Sequence, residues 1–151
     1  KLFEAAARLG ALIGGGSADI ERGLADYGMH LGTAFQLVDD VLDYSGAEAE
    51  TGKHLGDDLA EGKPTLPLIH VMQQGSPAQA DCVRRAIETG GRDDFPAVLQ
   101  AIRATGALDY TLRQAAVEAE FARKAIETVL PASLYKESLL DLSAFAVART
   151  Y

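Results

Sequence analysis

Three aspartates and a glutamine are spaced so that their side chains share one face of a helix. At about 100° per residue, a single arc of roughly 100° holds Gln36, Asp39, Asp40 and Asp43. Neighbouring carboxylates destabilise a helix by a few tenths of a kcal/mol per pair, and a cost of this kind without a local gain indicates a functional site. Clustered oxygen ligands suit Mg²⁺, which completes its shell with water and substrate phosphate. Taken alone, the pattern also fits a solvated acidic helix face.

Lysines and further carboxylates follow in a glycine-containing segment downstream of Asp43. This segment contains the pair Gly52-Lys53 and then the stretch GDDLAEGKPTLPL, which includes Lys63. A diphosphate needs such a combination, because a metal ion bridges its oxygens while lysine neutralises the remaining charge. The glycines would let the loop backbone approach the ligand. The two lysines by themselves are more typical of a solvated loop.

Composition and charge exclude several classes of protein. The formal net charge of −8 argues against nucleic-acid binding, which requires a basic surface. No apolar run approaches the length of about 20 residues that spans a bilayer, so we expect no stable membrane insertion. Cys82 is the single cysteine and cannot form an internal disulfide, which fits a reducing compartment. We therefore expect a cytoplasmic protein.

Apolar residues recur at helical spacing along the chain, and helix-favouring residue types dominate its composition. There is no convincing alternation of the kind that predicts strands. The fold class predicted is all-α, with a glycine-rich loop over residues 45–62 and Asp93 or Asp94 as the cap of a later helix. The longer predicted helices cover residues 1–13, 18–44, 78–89, 107–130 and 134–149. Residues 1–7 already have helical spacing without a capping residue before them, so we expect the chain to be a fragment of a longer protein.

The order of the motifs resembles one enzyme family. Residues 35–43 resemble the second aspartate-rich motif of the trans-prenyltransferases. The succession FQLVDDVLDY, TGK, GDD and EGKPTLPL is similar to that of bacterial octaprenyl diphosphate synthases and their long-chain relatives, and LFEAAARLGALIGG resembles the helix before that motif. The resemblance implies an all-α bundle around a deep cavity. Residues 1–151 would form the C-terminal portion of a single synthase domain.

The resemblance also implies an activity. The family members are Mg²⁺-dependent prenyltransferases of isoprenoid biosynthesis, which lengthen an allylic diphosphate with isopentenyl diphosphate. The implied product here is a long all-trans polyprenyl diphosphate, as for a ubiquinone side chain, and the implied assembly is a homodimer. The metal ions would act as Lewis acids on the leaving diphosphate.

Site residues follow from the resemblance position by position. Asp39 would be the principal metal ligand, and Asp40 and Asp43 would help directly or through water. Lys53 would contact the diphosphate and is counted with Asp39 and Asp40 as catalytic.

Other residues would contact the substrates. Lys63 would bind the diphosphate together with Lys53, and Gln36 would lie near the allylic substrate. Phe35 would shape the cavity wall. Asp57 and Asp58, the aspartates of the GDD sequence, belong to the same set of family motifs.

Some parts of the family pattern are absent from these 151 residues. The chain has no other DDxxD motif, so we expect the first aspartate-rich motif and the isopentenyl diphosphate site to lie upstream. We expect this polypeptide alone to hold half an active site and to show no useful turnover. Three alternatives remain: another enzyme of the same fold such as a terpene cyclase, a non-catalytic helical subunit or partner of a complete synthase, and an acidic helical domain without a ligand.

Overall fold

A computed structural model describes residues 1–45, 55–90 and 92–149. Within these ranges the regular secondary structure is helical and contains no strand, which confirms the predicted all-α class. No helix in this part of the chain combines the length and the hydrophobicity needed to cross a membrane. In chain order the helices are α1 (Leu2–Ile13), α2 (Ala18–Ser45), α3 (Asp57–Ala60), α4 (Leu66–Gln74), α5 (Pro77–Thr89), a 3₁₀ turn (Arg92–Asp94), α6 (Phe95–Thr105), α7 (Ala107–Glu127) and α8 (Leu134–Ala148).

The chain divides into two compact units. The first unit contains Lys1–Val38 and Gln114–Arg149, and the second contains the described residues of Asp39–Arg113. Helix α2 belongs to the first unit up to Val38 and to the second from Asp39, and α7 belongs to the second unit up to Arg113 and to the first from Gln114. The boundary between the units falls within α2, so Gln36 belongs to the first unit and Asp39, Asp40 and Asp43 belong to the second.

The first unit is built where α1, α2, α7 and α8 bury small and apolar side chains. Its core comprises Tyr27, Leu31, Ala122, Ile126 and Ala146. The backbones of α1 and α2 come close together at Gly28, where a Cβ atom would overlap the carbonyl oxygen of Phe3. A glycine on α2 is thus what allows this close helix packing.

The second unit has its own core, formed mainly by α4, α5 and α6. Local sequence signals define these helices. Ser76 and Gln79 form a capping box at the start of α5, with Pro77 in its first turn. Gly106 ends α6 in the left-handed conformation that glycine adopts most easily. Side chains fully buried in this core include Leu68, Val71, Val83, Val98 and Ile102, together with Leu59 of α3.

The predicted loop over residues 45–62 is partly helical. Residues 46–54 lie outside the described part of the chain, but α3 forms within 57–60. Such a short helix has little intrinsic stability, and Leu59 anchors it by burial in the second core. The predicted cap was also wrong in one respect, because the Asp94 side chain makes no capping hydrogen bond to α6.

Candidate functional site

The predicted acidic face lies on the last turns of α2. The side chains of Val38, Val41 and Tyr44 are buried and fix the rotation of this part of the helix. Asp40 is also buried, with 6% of its surface exposed, whereas Asp39 is half-buried. A buried carboxylate must be stabilised by polar partners, so the burial of Asp40 argues against a purely solvated acidic face.

Asp43 is engaged by the backbone of α3. Its Oδ1 atom accepts a hydrogen bond from the N–H of Asp57 at 3.2 Å, and its Oδ2 atom accepts one from the N–H of Asp58 at 3.3 Å. The carbonyl oxygen of Asp43 accepts a third bond, from the N–H of Gly56 at 3.0 Å. Asp43 therefore ties the end of α2 to the start of α3, a role that residue spacing did not predict.

The surroundings of Asp43 disfavour its charged form. Burial raises the pKa of its carboxyl to about 6, and the negative charge of Asp58 adds to this effect, while the two backbone hydrogen bonds oppose it. A cation placed beside this group would favour the charged carboxylate. The end of α2 is thus an acidic environment in which a bound cation would relieve electrostatic repulsion.

Lys63 is paired with carboxylates of its own segment. Its Nζ atom lies 3.0 Å from Oδ1 of Asp58 and 2.6 Å from Oε2 of Glu61. Hydrogen bonds to Glu61 and then to Asp58 raise the pKa of this ammonium group. Its side chain is 53% exposed, so the charge of Lys63 is both held in place and accessible.

The remaining predicted substrate residues are differently placed. Lys53 lies outside the described residues. Gln36 is exposed on α2, one helical turn before Asp40 in the sequence.

Phe35 belongs to a small cluster in the first unit that sequence reasoning missed. Its ring, in a residue that is 37% exposed, lies with its centroid 5.5 Å from that of Phe3. The guanidinium carbon of Arg149 lies 3.8 Å from the Phe35 centroid, and Nη2 of Arg149 donates to the Phe35 carbonyl oxygen at 2.7 Å. Nothing in the sequence marks this contact, because Phe35 and Arg149 are far apart along the chain.

The oxygen donors on α2 have the chemistry that Mg²⁺ prefers. Within the described ranges, no group of three His, Cys, Asp or Glu side chains is arranged to hold a metal ion by itself. Mg²⁺ commonly uses only one or two protein carboxylates and takes its other ligands from water and phosphate. The donor set formed by Asp39 and Asp40 therefore fits this ion when a phosphate ligand is also present.

Comparison with known proteins gives consistent matches. The family model described as polyprenyl synthetase matches residues 1–104. The octaprenyl diphosphate synthase of Haemophilus influenzae is 50% identical over 152 residues, covering 100% of this chain and 46% of that protein. The octaprenyl diphosphate synthase of Escherichia coli is 49% identical over 150 residues, covering 99% of this chain and 46% of that protein. The chain thus spans about half the length of the curated relatives it matches.

A solved structure shares the fold. The crystal structure of a polyprenyl synthase from Caulobacter crescentus, complexed with calcium and isoprenyl diphosphate, superposes with a TM-score of 0.88 at 42% sequence identity. The superposition covers 99% of this chain and 46% of that one. The helical arrangement described above is therefore that of about half of a known synthase structure.

Proposed function

The chain belongs to the polyprenyl synthetase family, and on this premise we propose that it is the C-terminal portion of a single synthase domain. The complete enzyme would join isopentenyl diphosphate to an allylic diphosphate and release a long all-trans polyprenyl diphosphate. The observation that carries this proposal is the carboxylate face of α2, with its buried Asp40, inside the residues that the family matches. The 50% identity to an octaprenyl diphosphate synthase supports a long product, as used for a quinone side chain.

Asp39 is the proposed principal Mg²⁺ ligand, and Asp40 assists it directly or through water. Asp43 supports this carboxylate face through its hydrogen bonds to the backbone of α3. When bound, Mg²⁺ would supply Lewis-acid stabilisation of the charge on the leaving diphosphate. Buried side chains on the opposite face of α2 set its rotation, so the direction in which the side chains of Asp39 and Asp40 leave the helix is set before substrate arrives. Preorganisation of this kind makes electrostatic stabilisation effective.

The substrate contacts proposed are those of two lysines, a glutamine and a phenylalanine. Lys53 and Lys63 neutralise diphosphate oxygens, and the exposed, ion-paired position of Lys63 supports its part. Gln36 contacts the allylic substrate from the exposed side of α2. Phe35 contributes to the wall of the substrate cavity, which its partly exposed ring next to Phe3 supports.

The proposal includes a homodimer in the cytoplasm. Exposed apolar side chains on α8, including Leu142 and Phe145, support burial against other protein surface. The free thiol of Cys82 fits a reducing compartment. We do not expect the 151 residues alone to turn over substrate, because they contain a single DDxxD motif.

Substitution of Asp39 in the complete natural protein tests the proposed function. Asp39→Ala should lower kcat for incorporation of isopentenyl diphosphate at least ~100-fold, because a catalytic metal supplies several kcal/mol of charge stabilisation. The measurement is Mg²⁺-dependent product formation from radiolabelled isopentenyl diphosphate and an allylic primer. Asp19→Ala is the matched control, since Asp19 is an exposed aspartate on the same helix. Elongation that survives in the Asp39→Ala variant, or a wild-type protein that does not elongate, would contradict the proposal.

A further inference from the structure

We propose that Asp43 is a positioning residue for the elongation reaction, which fixes the turn formed by Gly56, Asp57 and Asp58 and thereby places the ammonium group of Lys63. This inference rests on the proposed function and adds to it a route by which one aspartate acts on another part of the site. It is carried by hydrogen bonds within the second unit.

The turn formed by Gly56, Asp57 and Asp58 is attached to Asp43 by hydrogen bonds. The last carbonyl groups of a helix have no partner within the helix, and at the end of α2 the carbonyl of Asp43 is bonded to the N–H of Gly56. The two carboxylate oxygens take the next two amides, those of Asp57 and Asp58. Three consecutive backbone amides therefore converge on one residue. Such an arrangement holds the turn in both position and orientation.

The same turn is also closely packed at Gly56. Gly56 has φ of +79°, which side chains other than glycine rarely adopt. A Cβ atom at Gly56 would also overlap the ring of Phe95. That ring stacks on the buried Tyr44, with centroids 6.3 Å apart, and Tyr44 is the residue after Asp43. The backbone of the turn is thus enclosed between its hydrogen bonds to Asp43 and the Phe95 ring.

Two hydrogen bonds connect Asp58 of the turn to Lys63. The N–H of Lys63 donates to the carbonyl oxygen of Asp58 at 2.9 Å, and its Nζ atom donates to Oδ1 of Asp58 at 3.0 Å. Asp58 thus holds both the backbone and the charged end of Lys63. Because the amide of Asp58 is itself held by Asp43, displacement of the turn would move the ammonium group.

A direct metal-ligand role for Asp43 makes a different prediction. A carboxylate has about four lone-pair sites, and two hydrogen bonds leave room for a further ligand. If Asp43 acted mainly on the metal, its loss would weaken Mg²⁺ activation and would add to the loss of Lys63. If it acts by positioning, its loss should leave Mg²⁺ activation unchanged and should not add to the loss of Lys63.

A double-mutant cycle in the complete natural protein separates these roles. We expect Asp43→Ala to lower kcat/KM for the allylic diphosphate about 10- to 100-fold, the range typical of residues that orient a site from outside it. The double variant Asp43→Ala, Lys63→Ala should be no worse than Lys63→Ala, and the Mg²⁺ concentration for half-maximal rate should stay unchanged. Additive losses, or a weaker Mg²⁺ response, would overturn the inference. Asp19→Ala again serves as the control for loss of an aspartate on α2.

Hydrogen exchange supplies a readout that does not depend on activity. In Asp43→Ala the amides of Asp57 and Asp58 should lose protection while those of the buried Leu68 and Val71 keep it. Asp43→Asn retains one acceptor oxygen, so it should lose protection at one of the two amides and show a smaller kinetic defect. Unchanged protection at both amides in the Asp43→Ala variant overturns the positioning role, whatever the elongation rate of that variant. A wild-type protein that does not elongate overturns the proposed function instead, and the exchange result then judges the attachment of the turn by itself.

Discussion

Tyr27 shows how a single buried polar group affects stability in the first unit. Its hydroxyl donates to the carbonyl oxygen of Leu139 at 2.8 Å, so α2 and α8 share a hydrogen bond inside the core. Burial raises the pKa of this phenol, and a hydrogen bond with Ser143 partly opposes the increase. The folded protein therefore retains the Tyr27 proton at a pH where the unfolded chain has lost it.

This linkage gives a pH-dependent prediction. A raised phenol pKa means that stability is full below the unfolded value of about 10 and falls as pH rises above it, because the unfolded state loses its proton first. Tyr27→Phe should reduce this alkaline loss, while the missing hydrogen bond costs about 1 kcal/mol at neutral pH. Urea unfolding across neutral and alkaline pH measures both effects. An unchanged alkaline slope in the variant would show that Tyr27 is not the group responsible.

Residue spacing predicted part of the candidate site and missed the rest for a clear reason. The shared face of Asp39, Asp40 and Asp43 follows from helix geometry alone, and the structure places all three on α2. The bonds from α3 to the Asp43 carboxylate and the packing of Arg149 on Phe35 join residues that are distant in sequence. Periodicity carries no information about such contacts, so they could be found only from the fold.

At the scale of elements, the packing of α1 on α2 depends on the absence of a side chain at Gly28. Gly28→Ala should destabilise the protein by about 1–3 kcal/mol, the usual cost of overpacking, because the overlapping atom is the Phe3 carbonyl oxygen and α1 would have to move. Gly10→Ala is the matched control, since a Cβ atom at this exposed position on α1 meets nothing within 4 Å. It should stabilise the protein by about 0.5–1 kcal/mol. Thermal unfolding of the two variants checks the prediction, and equal shifts would contradict it.

Local signals predicted the longer helices well and the shortest one poorly. The helices predicted over residues 78–89 and 107–130 begin close to α5 and α7, because caps and turns such as the Ser76 capping box and Gly106 are encoded by neighbouring residues. Helix α3 has four residues between flanking glycines, and its stability comes from burial of Leu59 and from the bonds to Asp43. Those stabilising contacts are tertiary, so local sequence could not predict this element.

At the scale of the whole molecule, composition and motif order were sufficient for the fold class and the family. They did not predict which helix faces stay exposed, such as Leu9 and Leu12 on α1, because periodicity marks an apolar face without naming its partner. The chain covers 46% of the octaprenyl diphosphate synthases it resembles. Ligand binding is therefore a more direct test of the α2 site than turnover by these residues alone.

The proposed function requires that the carboxylates of Asp39 and Asp40 bind a diphosphate through Mg²⁺. Calorimetric titration with a non-hydrolysable allylic diphosphate analogue, with and without Mg²⁺, tests this binding. The proteins compared are the wild type, the double variant Asp39→Ala, Asp40→Ala and the Asp19→Ala control. We predict that binding weakens at least ~100-fold when either Mg²⁺ or the two carboxylates are removed, and that the control binds as the wild type does. Binding by a well-folded protein that is indifferent to both Mg²⁺ and the substitutions would contradict the claim.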